Sequence, residues 1–247
     1  MRTLVAALAC RAGGSRLYGK PLHNLDIEQR ITVLDYQIAF LRTQPEIADI
    51  VIGVAEGLEN DPFHRIARRH GLASIVGDET DVLMRLIQCG EARDASDVFR
   101  ITTESPFIYF EPIPDAWRRH VAHGNDVTSV SGVPDGPGFE ILALDALRRS
   151  HRLGDSRHRS ELVTLYIREH QDDFKVETLE APPDVNRMDV RLTIDYPEDL
   201  VVCRRIYERF KAEAPRIPLA EIVEFWDANP DLAALVKPYV AWERWYR

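Results

Sequence analysis

The sequence has 247 residues, with 31 basic against 40 acidic side chains and a formal net charge of −9. That length suits one large α/β domain or two small ones and is ample for a packed core, and 45% apolar with 29% charged residues excludes a disordered chain. The acidic balance argues against nucleic acid or an anionic membrane as partner, since both select a basic field.

The start, Leu4 to Ala9, is a continuous apolar run. It resembles a secretory signal only superficially, being short and lacking a cleavage context, and it reads as a central parallel strand covered on both faces. A Gly-rich turn follows, then a helix over Thr32–Thr43. Asp49–Val54 is a second apolar strand. Asn60-Asp61-Pro62 starts a helix, with Asp61 as N-cap and Pro62 at the first helical position, and Gly71 ends it. Ala73–Val76 reads as a strand, Asp81–Ala92 as a helix, Asp97–Thr102 as a strand, Glu111–His123 as a helix and Asp126–Ser131 as extended. This alternation predicts an α/β fold built on a single doubly wound, mostly parallel sheet, whose ligand crevice lies beyond the carboxyl ends of its strands.

The second half is less regular. Phe139–Ala143 and Phe174–Leu179 read as extended, with helices near Leu144–Arg152 and Ser160–His170 between them. Arg191–Ile194 reads as a strand and Pro197–Ala214 as a long amphipathic helix. A turn at Pro215–Pro218 leads to a helical tail over Leu219–Asn229 and Asp231–Trp245. The expected organisation is a domain over residues 1–214 and a helical extension over 215–247, packed on the body or on a second subunit. No apolar run reaches membrane-span length. Cys10, Cys89 and Cys203 form neither a CxxC pair nor an even framework, so neither zinc nor a disulfide is expected, and a reduced cytoplasmic setting is.

Gly14-Ser15-Arg16-Leu17-Tyr18-Gly19-Lys20 has the spacing of a phosphate-binding GxxxxGK loop. The Ser or Thr that should follow to hold magnesium is Pro21, which disfavours a P-loop kinase, and the pattern is not the GxGxxG of a dinucleotide site. Glycines let backbone N–H groups approach a polyphosphate. Arg11, Arg16 and Lys20 add three positive charges that suit a triphosphate and a leaving pyrophosphate. Lysine is scarce elsewhere, only Lys175, Lys211 and Lys237 completing the set, so Lys20 stands out.

From Arg11 to Leu22 the loop resembles the signature R-x-G-S-x-R-x-x-G-K-x-L of cytidylyltransferases that activate sugar acids, the CMP-ketodeoxyoctonate and CMP-sialate synthetases and, nearest, the spore-coat polysaccharide cytidylyltransferase family. Further segments match in the family's order. Gly77–Arg85 resembles G-x-x-x-D-V-L-x-R, Phe99–Ile108 resembles R-I-T-G-D-x-P-L-I, and Pro134-Asp135-Gly136 with Glu140 resembles P-D-G-x-x-x-E. Glu161–Arg168 resembles E-H-V-T-x-Y-I-R, and Arg191–Leu200 resembles R-L-T-V-D-x-P-E-D-L. The resemblance spans about residues 3–210.

It implies a glycosyltransferase-A-like nucleotidyltransferase fold, usually in a homodimer, and transfer of CMP from CTP to an acidic small-molecule acceptor with release of pyrophosphate. Catalysis would be positioning and electrostatics, with no covalent enzyme intermediate. It implies that Lys20 and Arg11 are catalytic and that Leu8, Ala9, Arg11, Gly13, Gly14, Ser15, Arg16, Lys20, Asp81, Arg85, Thr102 and Thr103 surround the nucleotide. Glu104 and Asp195 are the implied Mg²⁺ ligands, and Glu140, Glu161 and Arg168 the candidate acceptor contacts. Asp195 also stands where a helix cap would, just before Pro197. Two positions depart from the family: its G-D-x-P is Thr103-Glu104-Ser105-Pro106 here, and its His in E-H-V-T is Leu162.

The lost His, together with the basic segment Arg148–Arg159, leaves room for a phosphorylated or phosphonate acceptor, and Glu104 for a non-catalytic nucleotide-binding protein. The basic segment Arg148–Arg159 reads as a solvated face, with an acceptor clamp as the lesser alternative. His120 and His123 read as surface or boundary histidines, and Trp226, Trp242, Trp245 and Tyr246 as core or dimer packing.

Overall fold

The computed structural model describes residues 2–240. Trp242, Trp245, Tyr246 and the end of the expected tail helix lie outside the described residues.

The opening apolar run forms β1 (Leu4–Cys10), buried along nearly its whole length. A short hairpin, β2 (Asn24–Asp26) and β3 (Ile31–Thr32), follows the glycine turn and had no signature in the sequence. Next comes α1 (Val33–Leu41), started by a reciprocal cap in which the Thr32 hydroxyl and the Asp35 carboxylate each bond the other's backbone N–H. Then β4 (Ile47–Ala55) leads to α2 (Asp61–Arg69). Asp61, expected as the cap of α2, lies inside it, and Asn60 stands at the cap position without bonding the helix. The Asn60 side chain reaches elsewhere, its Oδ1 accepting from Ala12 N at 2.7 Å. The alternation continues through β5 (Ala73–Gly77), α3 (Val82–Glu91), β6 (Asp97–Arg100) and α4 (Ile113–His123).

β7 (Val127–Ser131) follows, and β8 (Glu140–Ala143) breaks the parallel rule. The seven strands of the main sheet run β5-β4-β1-β6-β8-β7-β9, with β9 being Val176–Glu180. β8 is antiparallel to both β6 and β7, while the other neighbours pair in parallel. The connection over residues 132–139 is too short for a parallel crossover, which needs a dozen or more residues, so β8 returns in the opposite sense. The sheet is mostly parallel and glycosyltransferase-A-like, with helices on both faces.

Between β8 and β9 stand α5 (Leu144–Leu153) and a single short helix, α6 (Leu165–Glu169), narrower than the Ser160–His170 expected. Arg191–Ile194 is not a strand. It makes one isolated bridge, Asp135 to Arg191, while Leu192 and Ile194 are fully buried. Its backbone bonds go to loops instead, Leu192 N to Asp135 O at 2.7 Å and Ile194 N to Glu104 O at 3.1 Å. Apolar alternation reported burial correctly here but not sheet membership.

α7 (Pro197–Arg209), α8 (Leu219–Ala228) and α9 (Pro230–Val236) close the described chain. Leu219, Ile222, Trp226, Leu232 and Val236 share one core with Val202 and Ile206 of α7 and with Leu192 and Ile194. Residues 215–236 therefore pack on the body.

Gly136 shows how tightly the loop before β8 sits on this segment. Its φ is +119°, and an added Cβ would fall 2.9 Å from Leu192 C and Thr193 N, backbone atoms that cannot rotate away. Gly136→Ala is expected to destabilise the fold by about 1–3 kcal/mol. Denaturant midpoints equal to wild type would show that the loop can shift.

Candidate active site

The carboxyl ends of β1 and β6 open into a cavity of about 500 Å³, where strand topology places ligands in open α/β sheets. The glycine loop forms one wall. Gly19 N bonds Ala12 O at 2.8 Å and closes it. Gly19 takes the left-handed φ of +61°, and a Cβ on Gly14 would lie 2.5 Å from Leu17 O, so both positions need glycine. Pro21 is accommodated because Lys20–Leu22 is a 3-10 turn with proline in its opening positions.

Arg11, Gly13, Gly14, Ser15, Arg16 and Lys20 all line this cavity. Ala9, Arg85, Thr102, Thr103, Glu104 and Glu161 line it too. The structure thus gathers most of the residues singled out in the sequence. Leu8 is not among them, being fully buried in the hydrophobic core beneath the sheet. Nor is Asp81, whose carboxylate caps α3 by accepting from Met84 N at 2.8 Å and meets His151 at 2.7 Å. Arg85 is 1% exposed, and its guanidinium donates to Cys10 O and Gly53 O, both at 3.0 Å. It braces the ends of β1 and β4 behind the cavity, where its desolvation is tolerated because backbone oxygens receive its protons.

Asp195 is not among the lining residues either, but Lys20, which is, has its Nζ 2.6 Å from Asp195 Oδ1, both side chains less than a fifth exposed. Arg16 Nη2 is 3.8 Å from the same oxygen. The other oxygen, Oδ2, receives a bond from Arg191 Nη2 at 2.7 Å. Burial works against the charge on Asp195, but the bonds from Lys20 and Arg191 outweigh it and hold its carboxyl below the ordinary value. Asp195 is not the cap of α7. That work falls to Asp199, whose Oδ2 accepts from Asp195 N and Tyr196 N, each at 2.9 Å.

Glu104 sits on the loop after β6, stitched to the Asp195 segment through its carbonyl and Ile194 N. Desolvation pushes its carboxyl up, Lys20 opposes this and the charge of Asp195 adds to it. The loop is braced from below by Gln37, whose Nε2 donates to Thr102 O at 2.8 Å and Ser105 O at 2.7 Å. Thr103 ties it to Ala9 O at 3.1 Å.

The candidate acceptor residues divide. Glu161 lines the main cavity, 3.6 Å from Arg11. Arg168 and Glu140 line a second cavity of about 230 Å³ over β7 and β9. Glu140 stands between the two, bonded through Oε2 to Arg100 Nη1 at 2.7 Å and through Oε1 to Thr164 Oγ1 at 3.1 Å.

Arg100 and Arg191 were not singled out in the sequence. Arg100 lines the main cavity and also donates to Glu161 O at 3.1 Å. Arg191, 7% exposed, meets Asp135, Asp195 and Asp199 within 2.8 Å. The signal available for both was their place in the quoted segments, but nothing local names their partners.

The basic segment is no clamp. Arg148 pairs with Glu91, Arg149 with Asp126 and Arg157 with Glu169, none of which lines the main cavity. His120, expected at the surface or boundary, is fully buried and bonded to Asp97 and Thr128. Among the described residues no group of three or more His, Cys, Asp or Glu could hold a metal, and no helix is long and apolar enough to cross a membrane.

A sheet of this order, with a cationic glycine loop beyond its first strand, suits the phosphates of a nucleotide. No protein-family model matches the chain. It is 28% identical over 237 residues to the spore coat polysaccharide biosynthesis protein SpsF of Bacillus subtilis, covering 94% of this chain and 98% of the relative. It is 25% identical over 229 residues to the uncharacterized protein MJ1063 of Methanocaldococcus jannaschii, covering 93% and 92%. A cytidylyltransferase structure from Leptospira borgpetersenii superposes with a TM-score of 0.84 at 19% identity, covering 94% of this chain and 97% of the other. A CMP:2-keto-3-deoxy-manno-octonic acid synthetase complexed with CTP gives 0.61 at 15%, covering 84% and 99%. In sequence the chain is similar to the first two proteins, and in fold to the two solved structures.

Proposed function

We propose that the protein transfers CMP from CTP to an acidic small-molecule acceptor, a sugar acid or a close relative, in surface polysaccharide biosynthesis. An acceptor oxygen forms a bond to the α-phosphorus, the bond from that phosphorus to the bridging oxygen breaks, and pyrophosphate leaves. The observation that carries this reading is the Lys20–Asp195 pair set beneath the glycine loop. A cation that lines the cavity and suits phosphate is in contact with a carboxylate behind it that suits a metal.

Arg11, Ser15 and Lys20 would hold the triphosphate, with Arg16 assisting, and the loop N–H groups would approach it closely. Glu104 and Asp195 would hold Mg²⁺. Two carboxylates fit that ion, which keeps waters and takes one or two protein carboxylates together with substrate phosphates. When bound it supplies charge neutralisation at the phosphates and a template for acceptor and nucleotide. The residues of the chain orient the ends of the reaction. Lys20 and Arg16 face the phosphate side, while Glu161, Arg11 and Arg100 line the wall nearest Glu140.

The basic segment lends no support to a phosphorylated acceptor, since Arg148, Arg149 and Arg157 are paired with acids elsewhere. Leu162 in place of the family's His lines the cavity, so acceptor contacts there are apolar. The family resemblance further supports a homodimer acting in the cytoplasm.

The test is pyrophosphate release from each of the four nucleoside triphosphates with Mg²⁺ and a panel of sugar acids and polyol phosphates. Release from CTP alone, dependent on a sugar acid, is the expected result. Release from every nucleotide alike, or from none with any acceptor, overturns the reading.

A further inference from the structure

The C-terminal segment reaches the nucleotide loop. Beyond α9, Lys237–Tyr239 form a 3-10 turn, and the ring of Tyr239 stacks on that of Tyr196 with centroids 3.9 Å apart and planes 14° from parallel. The guanidinium carbon of Arg16 lies 5.3 Å from the centroid of the same Tyr196 ring, and Arg16 Nη2 is 3.8 Å from Asp195 Oδ1. Leu17, the next residue of the loop, packs against the core that Tyr239 and Val240 also border. Three segments far apart in the chain (the glycine loop, the start of α7 and the C-terminal turn) therefore meet at one tyrosine ring.

We propose that Tyr239 is a positioning residue for the nucleotide's phosphates, acting through Tyr196 to hold Arg16 at the cavity. The proposal rests on the reading of the glycine loop as the triphosphate site. An arginine on a surface loop samples many rotamers, and ordering it when a ligand arrives costs affinity. An aromatic face attracts the guanidinium and restricts it beforehand, and a second ring stacked on the first keeps that face in place. Tyr196 occupies the one unspecified position between Asp195 and Pro197 in the segment that resembles R-L-T-V-D-x-P-E-D-L. Tyr239 lies beyond the span of that resemblance, so the device belongs to this chain's C-terminal extension.

The experiment uses the full chain and four variants: Tyr239→Leu, which keeps apolar packing without the ring, Tyr239→Phe, Arg16→Ala, and Tyr239→Leu combined with Arg16→Ala. Each is titrated with inorganic tripolyphosphate by calorimetry, its melting temperature is recorded, and pyrophosphate release from CTP is measured at steady state. The stack predicts that Tyr239→Leu weakens tripolyphosphate binding about three- to tenfold, the range of an aromatic pair acting on a cation–π contact. KM for CTP rises by a similar factor with kcat little changed, and Tyr239→Phe behaves as wild type. In the Arg16→Ala background Tyr239→Leu has no further effect, because the two residues act as one unit. Wild-type tripolyphosphate affinity in Tyr239→Leu, or equal weakening with and without Arg16, overturns the proposal. Failure of the wild type to bind tripolyphosphate overturns it together with the phosphate role of the loop. Intact tripolyphosphate effects with no pyrophosphate release from any nucleotide sink the cytidylyltransferase reading and leave the stack standing.

Discussion

Lys20→Ala is expected to lower turnover by about two to three orders of magnitude, the cost of removing one preorganised charge-stabilising donor from a phosphate or oxyanion site. The reason lies in where the ammonium sits. It is held 2.6 Å from Asp195, in a cavity wall where both groups are largely shielded from water, so its field at a bound phosphate is much stronger than a surface lysine would supply. The fold should survive. Asp195 keeps its bond from Arg191 at 2.7 Å and its contact with Arg16, so the stability loss is about 1–2 kcal/mol, the worth of one hydrogen bond to a charged group. Steady-state pyrophosphate release and a denaturant melt on the same preparation check both halves. Near-normal turnover would remove Lys20 from the chemistry, and a variant unable to fold would make its role structural.

Arg191→Met has the largest expected effect on stability. Its guanidinium is nearly buried and meets Asp135, Asp195 and Asp199 together. Desolvation opposes its charge, and the three carboxylates, Asp199 foremost, more than restore it. Methionine has similar bulk but no charge, so Asp199, 1% exposed, and Asp195 lose a shared partner in a poorly hydrated place. Removing one member of a buried ionic cluster costs about 3–5 kcal/mol, which urea unfolding would read directly. Arg191→Lys should recover only part of it, since an ammonium cannot fork to several carboxylates at once. A loss under about 1 kcal/mol for the methionine variant would show that water or rearranged side chains replace the guanidinium.

The two substitutions separate what the site needs. Lys20 and Arg191 grip opposite oxygens of one carboxylate, Oδ1 and Oδ2. The first lines the cavity. The second faces the interior and orients the group.

Much of the fold was legible in the chain. β1, α1, β4, α2, β5 and α3 were read from apolar runs and from glycine and proline punctuation, signals that act over a few residues. The hairpin of β2 and β3 was not, because strands of two or three residues carry too little pattern. The reversal of β8 depends on the reach of a loop, and the failure of Arg191–Ile194 to join the sheet depends on which partners lie beside it. Burial and strand pairing produce the same apolar alternation, so a sequence cannot separate them at that length.

Site residues divide the same way. The glycine loop was legible because its constraints are local: a Cβ on Gly14 would meet the backbone of Leu17, and Gly19 takes a left-handed φ. Asp81 lies off the cavity lining, and its capping bond and its contact with His151, 70 positions away, leave no trace near it in the sequence. Arg100, Gln37 and Tyr239 were passed over for the same reason.

The sequence by itself determined an acidic chain with a buried first strand, a cationic glycine loop after it and carboxylates in later segments. Only the tertiary structure decided which carboxylate meets which cation. Asp195 and Lys20 are 175 positions apart in the chain and 2.6 Å apart in space. Coulomb attraction and hydrogen bonding depend on that second distance alone.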